Sequence, residues 1–186
     1  MRIIHKNQRV GVFLDIQNLY HSAKNLYSKR VNFKNLLLAA VSNRLLIRAL
    51  AYTARADEPG EESFFEALER AGIEIRIKEL QVYPDGTKKG DWDVGLAVDV
   101  INLAPSLDVI VLISGDGDFL PLVNYLRATG KKVEVMAFGR TTSTKLKEAA
   151  DEFIDLDDKP DFYLLKGEIS RVISRIPKII RIKKKK

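Results

Sequence analysis

Short apolar segments alternate along the chain with segments of helical spacing. Five segments have the length and apolar content of β-strands, and they cover residues 10–14, 45–52, 73–77, 108–113 and 133–138. Five others repeat their apolar residues as an amphipathic helix does, at residues 33–41, 61–71, 94–103, 119–129 and 144–151. Because strands that alternate with helices are joined by crossovers, the pattern predicts an α/β fold with a mainly parallel central sheet.

The chain is predicted to form a single domain over residues 1–177, followed by a basic tail at residues 178–186. Residues 81–89 read as a turn-bearing excursion between a strand and a helix. A last helix is predicted around residues 162–173. No internal repeat or long linker divides the sequence, so one sheet is expected to organise it.

The composition excludes several classes of protein. With 186 residues, 46% of them hydrophobic, the chain is long enough to bury a core and too apolar for a disordered protein. It has no cysteine, which removes thiolate catalysis, zinc-thiolate sites and iron-sulfur clusters. No apolar run reaches the roughly 18 residues of a membrane span, and the N-terminus lacks a secretory core. A cytoplasmic location is the default expectation.

The positive charge of the chain is concentrated at its C-terminal end. The net charge is +6, and residues 178–186 alone carry six cations and no anion, which leaves the other 177 residues neutral. Such a tail either holds nucleic-acid phosphates without sequence preference or serves as a solubilising end. If it holds phosphates, its removal is expected to weaken the salt dependence of nucleic-acid binding.

Acidic residues follow two of the predicted strands. Asp15 ends the first strand, and the fourth strand runs into a Ser-Gly-Asp-Gly-Asp segment that contains Asp116 and Asp118. In a sheet of strand order 3-2-1-4-5, strands one and four are neighbours at the switch point, where ligands bind outside the carboxyl ends. These acids are therefore expected to share one crevice. Asp93, at the start of the helix that leads into strand four, is expected to add a further carboxylate.

Clustered carboxylates repel one another, so they require protonation, cationic partners or a bound metal ion. Two of them about 5 Å apart repel by about 0.8 kcal/mol in water and about 3 kcal/mol at an effective dielectric near 20. A ligand set made only of oxygen selects a hard ion such as Mg²⁺ or Mn²⁺. An ion of this kind polarises phosphodiesters and activates water, so the predicted chemistry is hydrolysis of a phosphoryl group. The structural alternative is that these residues only cap helices and form turns.

Two other enzyme classes fit the sequence less well. A phosphatase of the haloacid-dehalogenase type has a second Asp two residues after its strand-one Asp, where this chain has Gln17. A dinucleotide-binding loop needs a third glycine where this chain has Leu120. A catalytically silent RNA-binding or regulatory protein remains the main alternative to an enzyme.

Three segments in the same order resemble the NYN domain of the LabA-like group, part of the PIN-like nuclease superfamily. They are Leu14 to Asn18, Lys89 to Asp99, and Ser114 to Phe119. The resemblance covers residues 10–156. It implies a Rossmann-like, PIN-type three-layer α/β/α fold, an acidic cluster that holds Mg²⁺ or Mn²⁺, and metal-dependent ribonuclease activity on RNA.

The resemblance also implies roles for individual residues. Asp15, Asp116 and Asp118 are expected to bind the metal, and Asn18 is expected to lie beside Asp15 as a polar substrate contact. The helix acid is expected to be Asp93, and Asp99 is the second choice. The two lie about 120° apart around a helix, so both need not face one ion.

Several other polar residues carry open predictions. Ser114 and Lys89 are expected to touch substrate or to hold the acids, although Lys89 also fits an ordinary solvated lysine. Trp92 fits an anchoring core aromatic better than a stacking platform for a base. His5 and His21 are interpreted as structural or surface residues, and the acids of residues 151–161 as a solvated face.

Overall fold

The computed structural model describes residues 4–55, 60–79, 81–82, 88–89 and 92–167. The predicted basic tail lies outside these residues, as do the centre of the predicted excursion at residues 81–89 and the second half of the helix predicted at 162–173. The described part of that last helix is shorter than predicted. It ends at Tyr163, because Leu164 turns to an extended conformation and forms an antiparallel bridge with Val31.

Six strands form one parallel sheet, and two very short strands form a separate antiparallel pair. The strands are β1 (Arg9–Asp15), β2 (Leu45–Arg55), β3 (Glu74–Glu79), β4 (Gln81–Val82), β5 (Lys88–Lys89), β6 (Val109–Ile113), β7 (Lys132–Ala137) and β8 (Glu152–Asp155). The sheet order is β3-β2-β1-β6-β7-β8, and every neighbouring pair is parallel. The five predicted strands have the predicted order, and β8 adds a sixth strand at the edge.

Seven α-helices occur in the described residues. They are α1 (Ile16–Tyr27), α2 (Phe33–Val41), α3 (Glu61–Arg70), α4 (Asp93–Leu103), α5 (Leu120–Ala128), α6 (Thr144–Ala149) and α7 (Pro160–Tyr163). The five helices predicted between residues 33 and 151 are confirmed with small shifts at their ends. Gly72 and Gly130 follow α3 and α5 with φ angles of +82° and +81°, the left-handed region that glycine adopts without strain. None of the described helices combines the length and apolarity needed to cross a bilayer.

Buried apolar side chains cover both faces of the sheet. Along β1, Val12 and Leu14 pack on one face with residues of α1, α2 and α3, whereas Phe13 packs on the other face with residues of α4, α5 and α6. All five residues of β6 are buried, as expected for a central strand of a parallel sheet. The predicted fold class, a three-layer α/β/α architecture around a mainly parallel sheet, is confirmed.

The chain leaves β1 and β6 in opposite directions. The connection from β1 through α1 and α2 leads to β2, whereas the connection from β6 through α5 leads to β7 on the other side of the sheet. Because β1 and β6 are hydrogen-bonded neighbours, a crevice opens between the two departing connections at their carboxyl ends. The fold therefore brings residues that follow β1 and residues that follow β6 to one place.

Candidate active site at the carboxyl ends of β1 and β6

Asp15 joins the end of β1 to the start of α1. It is the N-cap of α1, and its Oδ1 accepts a hydrogen bond from the backbone N–H of Asn18 at 3.1 Å. Its other oxygen, Oδ2, accepts a hydrogen bond from the hydroxyl of Ser114 at 3.0 Å. The carboxylate is thus held by α1 on one side and by the end of β6 on the other. The capping role and the placement in the crevice, which looked like alternatives in the sequence, occur together.

The segment after β6 is tied to the same place. The fully buried Ser114 accepts a hydrogen bond at Oγ from the backbone N–H of Asp116 at 3.2 Å. Asp116 Oδ1 in turn accepts from the backbone N–H of Asp118 at 3.0 Å and caps a short 3₁₀ turn. Asn18 Oδ1 accepts from the backbone N–H of Gly115 at 2.9 Å. These bonds fix the position of the acidic segment against β1 and α1.

Three carboxylates converge beside this network. One oxygen from each of Asp93, Asp116 and Asp118 lies within 4.8 Å of the other two. Asp93 comes from the first turn of α4, and the other two come from the segment after β6. Asp93 and Asp116 are half-buried, whereas Asp118 is exposed. Carboxylates this close repel each other, and oxygen atoms from three of them form a donor set suited to a hard divalent cation.

The same repulsion reaches Asp15. Burial raises the pKa of Asp15 from its ordinary value of 3.8 to about 6, and the negative charges of Asp93 and Asp116 add to the increase. The hydrogen bonds from Asn18 and Ser114 act in the opposite direction, because they favour the ionised carboxylate. Asp15 therefore belongs electrostatically to the acidic cluster, although its oxygens are outside the group of three.

Asp99 lies in a different environment on α4. The hydroxyl of Tyr52 donates a hydrogen bond to Asp99 Oδ2 at 2.9 Å, and Arg76 Nε lies 3.7 Å from the same oxygen. Burial, followed by this bond to Asp99, raises the pKa of Tyr52. Of the two candidate helix acids, the structure thus brings Asp93 to Asp116 and Asp118, and it pairs Asp99 with residues of β2 and β3.

A cleft of about 880 Å³ opens beside the acids. Asp15, Asp93 and Asp116 form its floor region, and residues of α1 and of the turn that follows β7 form its walls. On the α1 side lie five polar residues, Gln17, Asn18, His21, Ser22 and Asn25. Of these, only Asn18 was predicted from the sequence as a substrate contact, although residues 18, 21, 22 and 25 have the spacing of one helical face.

The opposite wall is the turn after β7. It includes residues 140–143, and Arg140 at its outer end is held by Asp157, whose Oδ1 lies 3.1 Å from the guanidinium. Asp157 also accepts a hydrogen bond from Tyr27 at 2.6 Å, and Asp155 accepts one from the backbone N–H of Gly139 at 2.9 Å. These two acids, predicted to belong to a solvated face, instead hold the wall of the cleft in place.

Trp92 closes the cleft near Asp93. Its indole Nε1 donates to the carbonyl oxygen of Thr53 at 2.8 Å, and its ring packs edge-on against Tyr52 with centroids 5.7 Å apart. The ring also lies directly over Gly95, so that any side chain at that position would collide with it. These contacts match the predicted anchoring aromatic, and they fix the start of α4 from which Asp93 projects.

The other polar residues singled out in the sequence differ in where they lie. Ser114 and Asn18 lie at the acids, as described above. Lys89 belongs to the short strand β5, and its side chain lies outside the described part of the structure. His21 lies in the cleft wall rather than on an open surface, and burial, with a smaller effect of Lys24, lowers its pKa.

The raised pKa of Asp15 predicts that the difference in stability between the Asp15→Asn variant and wild type depends on pH. The pKa of Asp15 in the folded protein, about 6, exceeds the ordinary 3.8. The raised pKa therefore contributes to the free energy of unfolding in full below about pH 4, and this contribution is lost as the pH rises through about 6. In metal-free protein, Asp15→Asn is therefore expected to gain stability relative to wild type between about pH 4 and pH 7. Urea unfolding in EDTA at several pH values measures this difference, and a pH-independent difference would contradict the assignment. Asp158→Asn, at an exposed turn, is the control.

The sequence comparisons show the family of this chain, and a solved structure has a similar fold. The pattern of the NYN domain matches residues 9–157. The "Low amplitude and bright protein LabA" of Synechococcus elongatus is 29% identical over 167 residues, which cover 83% of this chain and 87% of LabA. The crystal structure of a Vibrio parahaemolyticus protein of unknown function is 32% identical and superposes with a TM-score of 0.79, over 88% of this chain and 100% of that one. The resemblance seen in the sequence is thereby confirmed, and the chain belongs to the NYN domain family.

Proposed function

We propose that this protein is a divalent-metal-dependent ribonuclease that hydrolyses phosphodiester bonds at the carboxyl ends of β1 and β6. The observation that carries the proposal is the convergence of Asp93, Asp116 and Asp118, whose oxygens lie within 4.8 Å of one another at the edge of an 880 Å³ cleft. The acids come from two separate parts of the chain, and the fold brings them together at the switch point, where ligands of such sheets bind.

The donor set fits Mg²⁺ or Mn²⁺. All the candidate ligands are carboxylate oxygens, which these ions prefer, and the sequence contains no cysteine that would favour a softer metal. A divalent cation would also offset the repulsion that contributes to the raised pKa of Asp15. Asp93, Asp116 and Asp118 would hold the ion, with Asp15 as a further ligand. When bound, such an ion polarises the phosphodiester and generates hydroxide from water.

The protein groups around the acids keep this arrangement fixed. Ser114 donates to Asp15 and accepts from the backbone of Asp116, so that one hydroxyl orients acids from both strands. Asn18 holds Gly115 and thereby the start of the acidic segment. Positions held in this way reduce the reorganisation that a reaction requires. In this proposal Asn18 and Ser114 position the acids, and the cleft beside them receives the nucleic-acid strand.

RNA is the proposed substrate because the chain belongs to the NYN domain family, and the resemblance of its three motifs to that family implies ribonuclease activity. The walls of the cleft add chemical support. Amide, hydroxyl and imidazole groups on α1 and on the turn at residues 140–143 suit the hydrogen-bonding groups of an unpaired strand. Lys89 and the basic tail are proposed to add electrostatic contacts with phosphates.

The proposal is tested by the cleavage of labelled single-stranded RNA. Metal-free protein is expected to be inactive, and Mn²⁺ or Mg²⁺ is expected to restore cutting, whereas Ca²⁺, which tolerates irregular coordination, is the comparison ion. A DNA oligonucleotide of the same sequence measures the preference for RNA. Equal cutting of both would leave the nuclease in place and overturn the RNA assignment.

The same assay separates the enzyme from a silent RNA-binding module. Folded protein that binds the RNA and cuts neither strand with any of the ions would contradict the nuclease proposal and favour the module. Cutting that survives removal of the metal would point to a contaminating nuclease. The Asp116→Asn protein, purified in parallel, shows which of these is the case.

A further inference from the structure

We propose that residues 168–176 form an amphipathic helix that docks in the groove between α2 and α3. The groove has a volume of about 530 Å³ and lies on the face of the sheet that these two helices cover. Its walls include Lys34, Leu37, Leu38 and Val41 of α2, and Ala67 and Ala71 of α3. None of the described residues that line the groove also lines the cleft beside the acids, so the two are separate features of the molecule.

The groove is open to solvent and mainly apolar. Leu38, in the middle of its α2 wall, is 59% exposed, and Ala67 on the opposite wall is exposed as well. Two cations among its described lining residues, Lys34 and Arg70, have aliphatic stems that can border an apolar occupant while their charged ends stay in water. Because exposed apolar surface is unfavourable in water, the groove favours an occupant with an aliphatic surface.

The sequence after Gly167 supplies such a surface. Ile169, Val172, Ile173 and Ile176 occupy positions i, i+3, i+4 and i+7, so a helix would carry them on one face, and Pro177 limits that helix to the residues before it. A helix of nine residues is not stable alone in water, so it requires a surface that covers its aliphatic stripe. The segment follows residue 157, where the match to the NYN domain ends.

The described chain ends close to the groove. The side chain of Asn35, near the start of α2, donates a hydrogen bond to the carbonyl oxygen of Phe162 at 2.8 Å. The backbone N–H of Leu165 donates to the carbonyl oxygen of Arg30 at 2.8 Å. The chain therefore leaves the described structure beside the first turn of α2, which also contains Lys34. A segment tethered this close meets the groove at a high effective concentration.

The segment and the groove also match in length. The α2 wall runs from Lys34 to Val41 and has the same spacing of three, four and seven residues as the aliphatic stripe of the segment. Each therefore extends for about 10 Å. A segment that begins near Lys34 and runs along α2 brings Ile173 opposite Leu38. All four aliphatic residues of the stripe then lie within the groove.

The charges beside the groove favour this segment over a second copy of the domain. Helix α3 contains four acids and one cation, and Glu62, Glu66 and Glu69 are exposed on it. The segment carries Arg171 and Arg175 on the polar side of its predicted helix, and further cations follow Pro177. Opposite charges thus come together when the segment docks. The same face of a second copy would instead bring another acidic α3 to the groove.

A pair of introduced cysteines tests the contact directly, because the chain has none of its own. Leu38→Cys/Ile173→Cys places one thiol at the centre of the groove and one at the centre of the stripe. Val98→Cys/Ile173→Cys is the matched control, since Val98 is 49% exposed on α4, outside the groove. During mild oxidation of the full chain, the first pair is expected to form a disulfide within one molecule at least about tenfold faster than the control pair, because a disulfide requires close Cβ atoms.

Limited proteolysis with trypsin measures docking without cysteines. The bonds after Arg171 and Arg175 are expected to be protected in wild type, because a docked helix must open before it is cut. Leu38→Gln is expected to raise the rate of cutting at these two bonds by about tenfold, since docking would bury an unpaired amide. Val98→Gln is expected to leave the rate unchanged. Mass spectrometry of the products identifies the bonds that are cut.

Docking requires both results. Equal rates of disulfide formation in the two cysteine pairs would overturn it, as would equal cutting after Arg171 in wild type and Leu38→Gln. A disulfide that joins two molecules would replace the intramolecular contact by one with a second copy. Neither readout involves RNA or metal, so loss of the proposed nuclease function would leave the docked segment in place.

Discussion

Asp116→Asn is expected to lower the rate of RNA cleavage by more than about 100-fold. Loss of a group that only orients a metal ligand costs about 10- to 100-fold, and Asp116 is itself proposed as a ligand. Its carboxylate lies within 4.8 Å of those of Asp93 and Asp118 and contributes to the raised pKa of Asp15. Asparagine keeps the shape of the side chain and an oxygen that accepts the hydrogen bond from Asp118, so the turn after β6 is expected to persist.

Single-turnover cleavage of labelled RNA, measured beside RNA binding, checks this expectation. Asp158→Asn, which removes an acid from an exposed turn, is the matched control and is expected to cut as fast as wild type. Retained binding with lost cutting supports a catalytic role for Asp116. A rate for Asp116→Asn within a few-fold of the control would show that the cluster does not carry the reaction.

Glu134→Gln is expected to destabilise the fold by about 3 to 5 kcal/mol, the usual cost of leaving one charge of a buried pair alone. Arg44 and Glu134 are both completely buried, and the guanidinium makes hydrogen bonds of 2.8 and 2.9 Å to the two carboxylate oxygens. Arg44 also donates to the carbonyl oxygens of Ala40 and Val41. Lys132 Nζ also lies 2.9 Å from Glu134 Oε1, so Glu134 holds two cations and, through Arg44, joins the end of α2 to β7.

Urea unfolding measures this loss, and two comparisons make it specific. Glu74→Gln breaks an ion pair of similar geometry with Arg48, but one that is partly exposed, so a loss of about 1 kcal/mol or less is expected. The double variant Arg44→Met/Glu134→Leu removes both fully buried charges and leaves the partly exposed Lys132 with Glu152 at 3.5 Å, so it is expected to recover most of the stability. An effect of Glu134→Gln no larger than that of Glu74→Gln would contradict the role assigned to the buried pair.

Most of the sheet could be predicted because its central strands are buried on both faces. Val10 to Leu14 and Val109 to Ile113 are almost continuously apolar, which identifies them directly. Strand β8 escaped prediction because it has four residues, lies at an edge and begins and ends with an acid. Helix α1 was not predicted, because it starts at Ile16, directly after β1, and its polar residues interrupt the apolar periodicity.

The candidate site could be predicted in part, for a topological reason. Asp15 and Asp116 follow neighbouring parallel strands, so strand order alone brings them to one edge of the sheet. Whether Asp93 or Asp99 would join them depends on the rotation of α4, which Trp92 sets through its bond to Thr53. The wall formed by Arg140 could not be predicted, because its position depends on contacts with Asp157 that are distant in sequence.

The most direct test of the central claim is to locate Mn²⁺ by anomalous X-ray diffraction from crystals of the full chain grown with the ion. The account predicts an anomalous peak within coordination distance, about 2.0 to 2.3 Å, of oxygens from Asp93, Asp116 and Asp118, with Asp99 still bound to Tyr52. A crystal saturated with Mn²⁺ that shows no anomalous peak among these three carboxylates, or that shows its peak at Asp99, would contradict the proposed metal site.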